Sequence, residues 1–302
     1  MRLSGLLGDA VHLPIELDRI SMDGELIADI QGQLALACIL DPPIDRTFGP
    51  VTRWALKIFA EKHGLQAETH LDRDLVTALL SPQIADTFLL SLGTDIASDI
   101  TRAMKTAGYW LCRQPDCINI VYIEGMDPDG TRNNNAPNEF NDARAIITFT
   151  ADGRPKMTAW EATSEPGRYY TLNPEPAGDH LPGAARIALD QFKAWSVGIH
   201  RPNTPTAHEA LVQVAKINVC RDLNQDYKRD GDAIDTGIFG INQHAAFDLP
   251  HNNIARASAG CLVGRVQTEH QAFMRKVKAD ARYKASNAYR FQTTILPRLA
   301  LG

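Results

Sequence analysis

The chain has 302 residues, of which 44% are hydrophobic and 22% are charged. Apolar material in that proportion forms a sizeable core, so we expect one large or two modest domains and exclude a disordered chain. The net charge is −5 and long basic runs are missing, which argues against nucleic acid as a partner because phosphate recognition requires clustered Lys and Arg. No segment approaches the roughly 18 apolar residues of a membrane span.

The N-terminal segment, residues 1–22, is predicted to be an arm that precedes the first domain. Its apolar stretch is interrupted by Asp9, whereas a secretory signal needs about 7–15 consecutive apolar residues. We therefore expect synthesis in the cytoplasm without a recognisable export signal.

Five cysteines occur at irregular spacing, and an odd number argues against a disulfide framework. Cys112 and Cys117 could supply half of a metal site, but no second pair completes the four ligands of a structural zinc ion. We expect Cys38, Cys112, Cys117 and Cys220 to be small buried apolar residues. Neither a metal nor another cofactor is predicted.

Three short helices are predicted in the first third of the chain. Apolar side chains recur at helical spacing in three segments, residues 25–40, 51–59 and 74–80. Pro50 suits the first position of the second helix, and Gly64 suits its C-terminal end. Together they predict a small three-helix domain over residues 23–82.

The order of residues in this domain is distinctive around the start of the second helix. The residues concerned are Ile30, Gln31, Leu34, Ile44, Asp45, Phe48, Gly49, Pro50, Val51, Thr52, Ala55, Leu56, Phe59, His63, Gly64 and Leu65. In this order they resemble the peptidoglycan-binding three-helix module found at the ends of many cell-wall enzymes. The resemblance implies the fold and a cell-wall partner. A generic helical bundle, in which Phe48 and Phe59 are only core, is the alternative.

Residues 83–118 are predicted to form a helical linker, because their apolar side chains also recur at roughly helical spacing. After this linker the periodicity changes to that of strands. Strands are predicted at residues 118–123, 145–149, 157–160, 185–189, 211–214, 217–220 and 237–241, and a closing helix at 268–278. Asp152-Gly153 has the composition of a hairpin turn.

The predicted fold class is therefore α+β and multidomain. A three-helix N-terminal domain precedes a β-rich sandwich or barrel over residues 119–302.

An acidic loop at residues 222–232 resembles the first half of a calcium-binding loop. Asp222, Asn224 and Asp226 place oxygen atoms at alternate positions, as Ca²⁺ requires. However, Tyr227 stands where that loop needs Gly, and Ala233 where it needs a bidentate Glu. A solvated acidic turn is the favoured interpretation, and calcium-dependent binding is a weaker alternative.

Candidate catalytic residues lie near the C-terminus, where Cys261 follows Ser258, Ala259 and Gly260, and His244 precedes them. An imidazole is well suited to take the proton of a thiol at neutral pH. Small residues beside the thiol let backbone N–H groups approach an oxygen that gains charge. If the two segments meet in space, Cys261 is a nucleophile and His244 is its base.

This arrangement resembles the L,D-transpeptidase (YkuD-like) catalytic family over about residues 140–266, including the segment 161–167. The resemblance implies that His244 is the base, that Ser258 and Gly260 belong to the signature, and that Cys261 is the nucleophile. It also implies an acyl-thioester formed with a peptidoglycan stem peptide.

The chain departs from the family pattern at three places. Ala259 replaces the signature His, Ala245 follows the base where Gly or Ser is usual, and Val263 replaces an Arg, with Arg265 shifted further along. These departures leave nucleophile and base intact. They affect substrate positioning and the balance between transfer and hydrolysis.

Three further residues are predicted to bind substrate: Asn242, Arg256 and Arg265. The two arginines are chosen because a guanidinium pairs with the carboxylates of a stem peptide. The sequence therefore predicts a peptidoglycan-active cysteine enzyme, such as a phage-type lysin or a delivered effector, that reaches the wall after release or delivery. The alternative is a non-catalytic wall-binding or phage structural protein on the same fold.

Overall fold

The computed structural model describes residues 1–8, 13–173 and 183–297. Within these residues there are eight α-helices: Leu17–Ile20 (α1), Gly24–Leu36 (α2), Pro50–Lys62 (α3), Arg73–Leu79 (α4), Ile96–Thr106 (α5), Arg168–Leu172 (α6), Gln267–Ala279 (α7) and Ala281–Ala285 (α8). Short 3₁₀ turns occur at Leu3–Leu7 and Ile84–Asp86. No helix of the described residues is long and apolar enough to cross a membrane.

The same residues form thirteen strands: Ile15–Glu16 (β1), His70–Leu71 (β2), Asn119–Ile123 (β3), Asp142–Phe149 (β4), Pro155–Thr163 (β5), Ala184–Ile187 (β6), Gln191–His200 (β7), His208–Gln213 (β8), Ile217–Asp222 (β9), Ala233–Gly237 (β10), Gln243–Ala245 (β11), Leu262–Gly264 (β12) and Phe291–Leu296 (β13). The fold is thus mixed α/β with a β-rich part. β1 pairs only with β2, near the N-terminal helices.

Helices α2, α3 and α4 begin where the local sequence favours a helix start. Asp23 and Asp72 accept the N–H groups of Leu26 and Leu75 as N-caps, and Pro50 opens α3. Their apolar faces share one core, which includes Ile30, Leu34, Leu56, Phe59, Leu75 and Leu79. The helices therefore occupy the segments that the sequence predicts.

Gln31 explains several residues of the distinctive N-terminal pattern. Its side-chain amide is buried, donates to Asp45 at 2.7 Å and to Thr52 at 3.0 Å, and accepts the N–H of Arg46 at 2.9 Å. These bonds fold the loop that leads into α3. Gln31, Asp45 and Thr52 therefore have structural roles.

The helical part contacts the β-rich part through Asp41, which is buried. Its carboxylate accepts the Tyr289 hydroxyl at 2.9 Å and pairs with Lys193 at 3.1 Å. A buried carboxylate with two such partners resists separation of the surfaces that carry them.

Only part of the segment 83–118 is helical, so the prediction of a helical linker is wrong over most of its length. The 3₁₀ turn Ile84–Asp86 and helix α5 are its helical elements. Asp95 caps α5 by accepting the N–H of Ser98 at 3.0 Å, and Gly108, with φ +76°, follows its end. Between these elements the chain runs along the β4–β5 turn, where Ser91 donates to Gly153.

Eight strands close a barrel in the order β11-β12-β5-β4-β3-β13-β7-β8. The predicted turn at Asp152-Gly153 joins β4 to β5, and Gly153 has φ +81° at a point where a Cβ atom would meet the carbonyl oxygen of Leu89. Of the two predicted architectures, sandwich and barrel, the barrel is the one found. A separate antiparallel sheet has the order β10-β9-β6.

The predicted strand at residues 237–241 is wrong beyond Gly237, the last residue of β10, because the Gln213 side chain takes the place of a partner strand there. Its side chain donates to Gly237 O at 3.0 Å and accepts the N–H groups of Phe239 at 3.0 Å and Ile241 at 2.9 Å. These backbone groups are therefore satisfied without a ladder. Strands β7, β11, β12 and β13, which the sequence did not predict, complete the barrel.

Helix α7 packs against the inward side chains of the barrel. Phe273, Met274 and Val277 belong to the core that also contains Trp160 and Trp195. The helix also contacts strands β11 and β12.

Candidate functional site

Strands β11 and β12 place the predicted nucleophile and base on one face of the barrel. They run parallel with His244 opposite Val263, and Leu262 donates to Asn242 O at 3.0 Å, so Cys261 lies next to Asn242. Cys261 also packs against the cluster that contains Val263. Because side chains alternate along a strand, His244 and Cys261 share a face, about 7 Å apart along the strand direction.

The turn before Cys261 is fixed by Ser258 and Gly260. The buried Ser258 hydroxyl donates to Cys261 O at 2.8 Å and accepts the N–H of Gly260 at 3.1 Å. Gly260 has φ +133°, and a Cβ atom there would collide with the carbonyl oxygen of Ala185. Ser258 and Gly260 therefore shape the turn, and the Gly260 N–H is not free to hold an oxyanion.

The thiol of Cys261 is protonated at rest. Its sulfur accepts the N–H of Asn242 at 3.5 Å and the thiol donates to Gly240 O at 3.6 Å. Burial raises the pKa of this thiol, against the lowering effects of Asn242 and the Arg201 charge. Cys261 consequently needs a base to become a nucleophile.

His244 is buried as a neutral imidazole. Its Nδ1 lies 2.9 Å from the carbonyl oxygen of Ala245, and since a carbonyl only accepts, Nδ1 carries the proton and Nε2 keeps a lone pair. The ring stacks on His200 with centroids 3.9 Å apart. Burial, reinforced by His200, lowers the pKa of His244 well below its usual value. This is the form that a general base requires.

Four imidazoles surround this point and form a histidine cluster: His200, His208, His244 and His270. His208 accepts the N–H of Ala245 at 3.1 Å and donates to a backbone carbonyl at 2.8 Å, so it holds the peptide that orients His244. Burial lowers the pKa of His200 to about 4 and that of His270 to about 3. His200, His244 and His270 are therefore uncharged at neutral pH.

A cavity of about 280 Å³ opens beside His244. Its lining includes His200, Arg201, His208, Phe247, Ala255 and Arg256. Three of these residues have left-handed backbone, with φ +47° at Arg201, +56° at Phe247 and +52° at Ala255. Such strain in non-glycine residues concentrates at functional sites, which favours this cavity as the place where a ligand binds.

The two predicted substrate-binding arginines differ in what they contact. Arg256 lines the cavity with its guanidinium 3.8 Å from the Tyr169 ring, and no described carboxylate forms an ion pair with it. Arg265 is paired with Glu161 and also donates to a backbone carbonyl at 3.2 Å. Arg256 can therefore bind an anionic group, whereas the guanidinium of Arg265 is already occupied by contacts within the protein.

Asn242 links Cys261 to the histidine cluster. Its side-chain Nδ2 lies 3.0 Å from His200 Nδ1, and its Oδ1 accepts the N–H of Gln213 at 2.9 Å. Both ends of the amide are thus engaged. The structure gives Asn242 a positioning role in place of the predicted contact with substrate.

A second polar group, the carboxylate cluster, consists of the buried residues Glu124, Asp142, Glu165 and Arg186 and the half-buried Arg229. The guanidinium of Arg229 donates to both carboxylate oxygens of Glu124, at 2.5 and 3.1 Å, and Arg186 forms an ion pair with Glu165. Burial raises the pKa of Asp142 to about 6, and neighbouring Glu124 adds to the effect. The ion pairs neutralise most of the charge within the cluster.

The carboxylate cluster supports the turn that carries Cys261. Arg186 belongs to β6, and the preceding Ala185 supplies the carbonyl against which Gly260 packs. Glu165 follows β5, next to the residues that bond the turn, since Gly167 donates to Ser258 O at 2.8 Å. The turn is therefore contacted at Ser258 and at Gly260 by residues that lie close in sequence to members of this cluster.

The acidic loop folds back on its own carboxylate. Asp222 accepts the N–H groups of Asp226 and Tyr227, each at 3.1 Å. Across residues 1–8, 13–173 and 183–297, no group of three or more His, Cys, Asp or Glu side chains is arranged to hold a metal ion.

Sequence reasoning did not single out His200 and His208. They face each other across the β7–β8 hairpin, and the intervening Pro202-Asn203 is a turn signal that could have paired them. The buried carboxylates had no such signal, because their partners come from distant segments of the chain.

No protein-family model matches the chain, and no curated protein matches it. Among solved structures, the chain is similar to a fused Zn-dependent amidase/peptidase/peptidoglycan-binding domain-containing protein from Clostridium acetobutylicum, with 14% sequence identity and a TM-score of 0.26. The match covers 89% of this chain and 94% of that protein. So low a TM-score carries no argument about fold or function.

Proposed function

We propose that the protein is a cysteine enzyme that cleaves or transfers peptidoglycan stem peptides through an acyl-thioester on Cys261. The observation that supports this proposal is the pairing of β11 with β12, which puts Cys261 and His244 on one face, with the His244 imidazole lining an open cavity. A nucleophile and a base so placed are the minimum that acyl transfer requires.

The reaction begins when His244 Nε2 removes the Cys261 proton as the sulfur attacks the carbonyl carbon of a stem-peptide amide. The new S–C bond leaves a tetrahedral oxyanion. His244 then gives its proton to the departing amine, the C–N bond breaks, and the acyl-thioester remains. Water or an acceptor amine, deprotonated by the same imidazole, attacks the thioester and restores the thiol.

The backbone N–H of Cys261 is the oxyanion donor that we assign, because the neighbouring Gly260 N–H is bonded to Ser258. Arg256 is assigned to a carboxylate of the stem peptide, since its guanidinium lines the cavity without an ion-pair partner among the described residues. No metal or cofactor enters this scheme.

Peptidoglycan is proposed as the partner on the two family resemblances of the sequence. The proposed domains are a wall-binding-like domain over residues 23–82, a linker at 83–118 and a catalytic domain at 119–302. The core shared by α2, α3 and α4 supports the first of these, and it also takes in Leu3, Leu6, Leu17 and Ile20 of the N-terminal segment. Delivery to the wall, as for a phage-type lysin or an effector, would bring the enzyme to its substrate. Under those conditions hydrolysis is favoured over cross-linking.

A non-catalytic wall-binding or phage structural protein on the same fold is the second candidate. The hydrogen bond from the thiol to Gly240 O and the raised pKa of Cys261 favour it, because both keep the sulfur unreactive. Ala259, where the resemblance expects His, favours it as well.

Incubation with purified sacculi, followed by mass spectrometry of the muropeptides, tests the proposal. We expect altered stem peptides with the wild type and with Cys220→Ala, a matched change at a buried cysteine of β9, and none with Cys261→Ala. Unaltered muropeptides with retained sacculus binding would establish the second candidate instead. The ratio of cross-linked to trimmed stems separates transfer from hydrolysis.

A further inference from the structure

The cavity beside His244 carries two guanidinium groups and no carboxylate. Arg201 and Arg256 line it, whereas no aspartate or glutamate is among its lining residues in the part of the chain that the structure describes. Both arginines are exposed, and neither forms an ion pair with a described carboxylate. The proposed reaction gives Arg256 a role but leaves Arg201 without one, so a second cation of this cavity is unassigned.

The backbone holds Arg201 in place beside the cavity. Arg201 directly follows His200, the last residue of β7, which pairs with His208 across the hairpin. Its carbonyl oxygen accepts both the N–H of Thr204 at 3.3 Å and the Thr204 hydroxyl at 2.8 Å. These bonds stabilise the loop in which Arg201 has a left-handed conformation, with φ +47°. The side chain therefore leaves the backbone from a fixed point.

Arg201 also lies close to the proposed reacting groups. The ring of the preceding His200 stacks on His244 with centroids 3.9 Å apart, and its Nδ1 is 3.0 Å from the Asn242 side chain. Burial raises the pKa of the Cys261 thiol, and the Arg201 charge opposes this rise. A carboxylate that binds Arg201 would therefore belong to a part of the ligand near the attacked bond.

Arg256 reaches the same cavity from a different loop. It follows Ala255, which has φ +52° and whose N–H donates to the Asn253 side chain at 3.0 Å. The Arg256 guanidinium lies 3.8 Å from the centre of the Tyr169 ring, an arrangement that fixes the guanidinium plane and leaves its N–H groups able to donate. The cavity therefore has two separately positioned cations.

We propose that Arg201 and Arg256 form two carboxylate subsites, so that the substrate is a stem peptide with two free carboxylates. This inference rests on the proposed function, because it takes peptidoglycan stem peptides as the substrate. A guanidinium donates charged N–H groups to a carboxylate, and such hydrogen bonds are stronger than neutral ones. Amidation of either carboxylate removes its negative charge. The enzyme therefore selects stems with both carboxylates free over amidated stems.

Binding of three synthetic stem peptides tests the two subsites. The diacid L-Ala-γ-D-Glu-L-Lys-D-Ala has two carboxylates, the α-carboxylate of its glutamate and the C-terminal one, and each of the other two peptides carries an amide at one of these positions. Dissociation constants are measured by isothermal titration calorimetry on Cys261→Ala, which lacks the proposed nucleophile. We expect each amide to bind about 10-fold more weakly than the diacid, as loss of one charged hydrogen bond requires.

Further substitutions in the same background assign each subsite. With Arg201→Gln, one amide should bind as tightly as the diacid, and with Arg256→Gln the other amide should. Arg275→Gln, at an exposed arginine of α7 that does not line the cavity, is the control and should keep both differences in affinity.

Equal affinity of Cys261→Ala for the diacid and both amides, or no binding of the diacid, would overturn the proposal. Loss of the same difference in Arg201→Gln and Arg256→Gln would overturn it equally, because both arginines would then bind one carboxylate. The acyl adduct on the wild-type protein is a separate readout. An adduct formed equally from all three peptides would overturn the two subsites and leave the proposed reaction, whereas the expected affinities without any adduct would contradict the reaction alone.

Discussion

The histidine cluster and the carboxylate cluster flank the same turn, yet they are built in opposite ways. In the histidine cluster, the described hydrogen bonds run to backbone groups, to Asn242 and to Arg144, and none to a carboxylate. In the carboxylate cluster, Glu124 and Glu165 are each paired with a guanidinium. The first contains three neutral imidazoles and opens on a cavity, whereas the second consists of charged groups that are largely buried and paired with each other. The proposed function assigns the chemistry to the first cluster, and we expect the second to contribute to stability.

The largest effect should come from His244→Gln, which removes the base but fits the same space. We expect sacculus turnover to fall by about 10²–10⁴-fold, the usual contribution of a general base, with unchanged thermal stability. His70→Gln, at an exposed histidine of β2, is the control. Turnover near the wild-type level in His244→Gln would show that the histidine cluster does not take part in the reaction.

Breaking the carboxylate cluster should instead reduce stability. Arg186→Met leaves Glu165 buried without its partner, and removing one member of a buried ion pair costs about 3–5 kcal/mol. Urea denaturation measures this loss. The exposed pair of Arg154 with Asp152 supplies the control, because Arg154→Met should change the free energy of unfolding by less than about 1 kcal/mol. Equal losses in the two variants would contradict the structural role of the cluster.

The two clusters also predict opposite pH dependence. Folding lowers the pKa of His200, His244 and His270. Below the pKa of an unperturbed histidine, about 6.5, the unfolded chain therefore binds more protons than the folded protein does. The free energy of unfolding consequently decreases as pH falls below about 6.5. The raised pKa of Asp142, about 6, means that its contribution is present at low pH and is lost as pH rises through that value.

The variant His270→Gln tests this contrast. The glutamine amide can keep the hydrogen bond to Glu209 O that His270 makes at 2.8 Å, but it does not titrate. We expect the slope of unfolding free energy between pH 4.5 and 6 to shrink by about 1.4 kcal/mol per pH unit, the value for one proton. Urea titrations at several pH values provide the slope. An unchanged slope would mean that His270 does not stay neutral in the folded protein.

The smallest effect concerns the two arginines that the sequence placed at the substrate. Arg256→Gln should raise KM for stem peptides by about 10-fold, as loss of one charged hydrogen bond does, without lowering stability. Arg265→Gln should lower stability and leave KM unchanged, because its guanidinium is paired with Glu161. Steady-state kinetics with soluble muropeptides, beside thermal melts, distinguish the pair. The reverse pattern would show that the carboxylate subsite is at Arg265.

Local signals in the sequence predicted those elements that local physics determines. Helix α3 begins at Pro50 with an apolar stripe, and the β4–β5 hairpin turns at Asp152-Gly153. The strand at 237–241 failed because a single distant side chain, Gln213, satisfies its backbone. Periodicity carries no information about such a partner.

The residues of the candidate site also fall into those that the sequence could predict and those that it could not. Cys261 and His244 could be named from residue type and the family resemblance, and Gly260 from its need for space. Their surroundings could not, since His200 and His208 come from the barrel strands β7 and β8, and Arg186 comes from β6 of the separate sheet. In those surroundings, Gly260 bonds to Ser258 within the turn and Asn242 contacts His200.

Trapping the covalent intermediate tests the central claim most directly. Wild-type protein is incubated with soluble muropeptides, quenched in acid and digested with trypsin, and the peptide Ala257–Arg265 is analysed by mass spectrometry. The proposed mechanism predicts an acyl adduct on Cys261, which hydroxylamine removes and which Cys261→Ala lacks. Turnover of the same muropeptides by Cys261→Ala at the wild-type rate would contradict it.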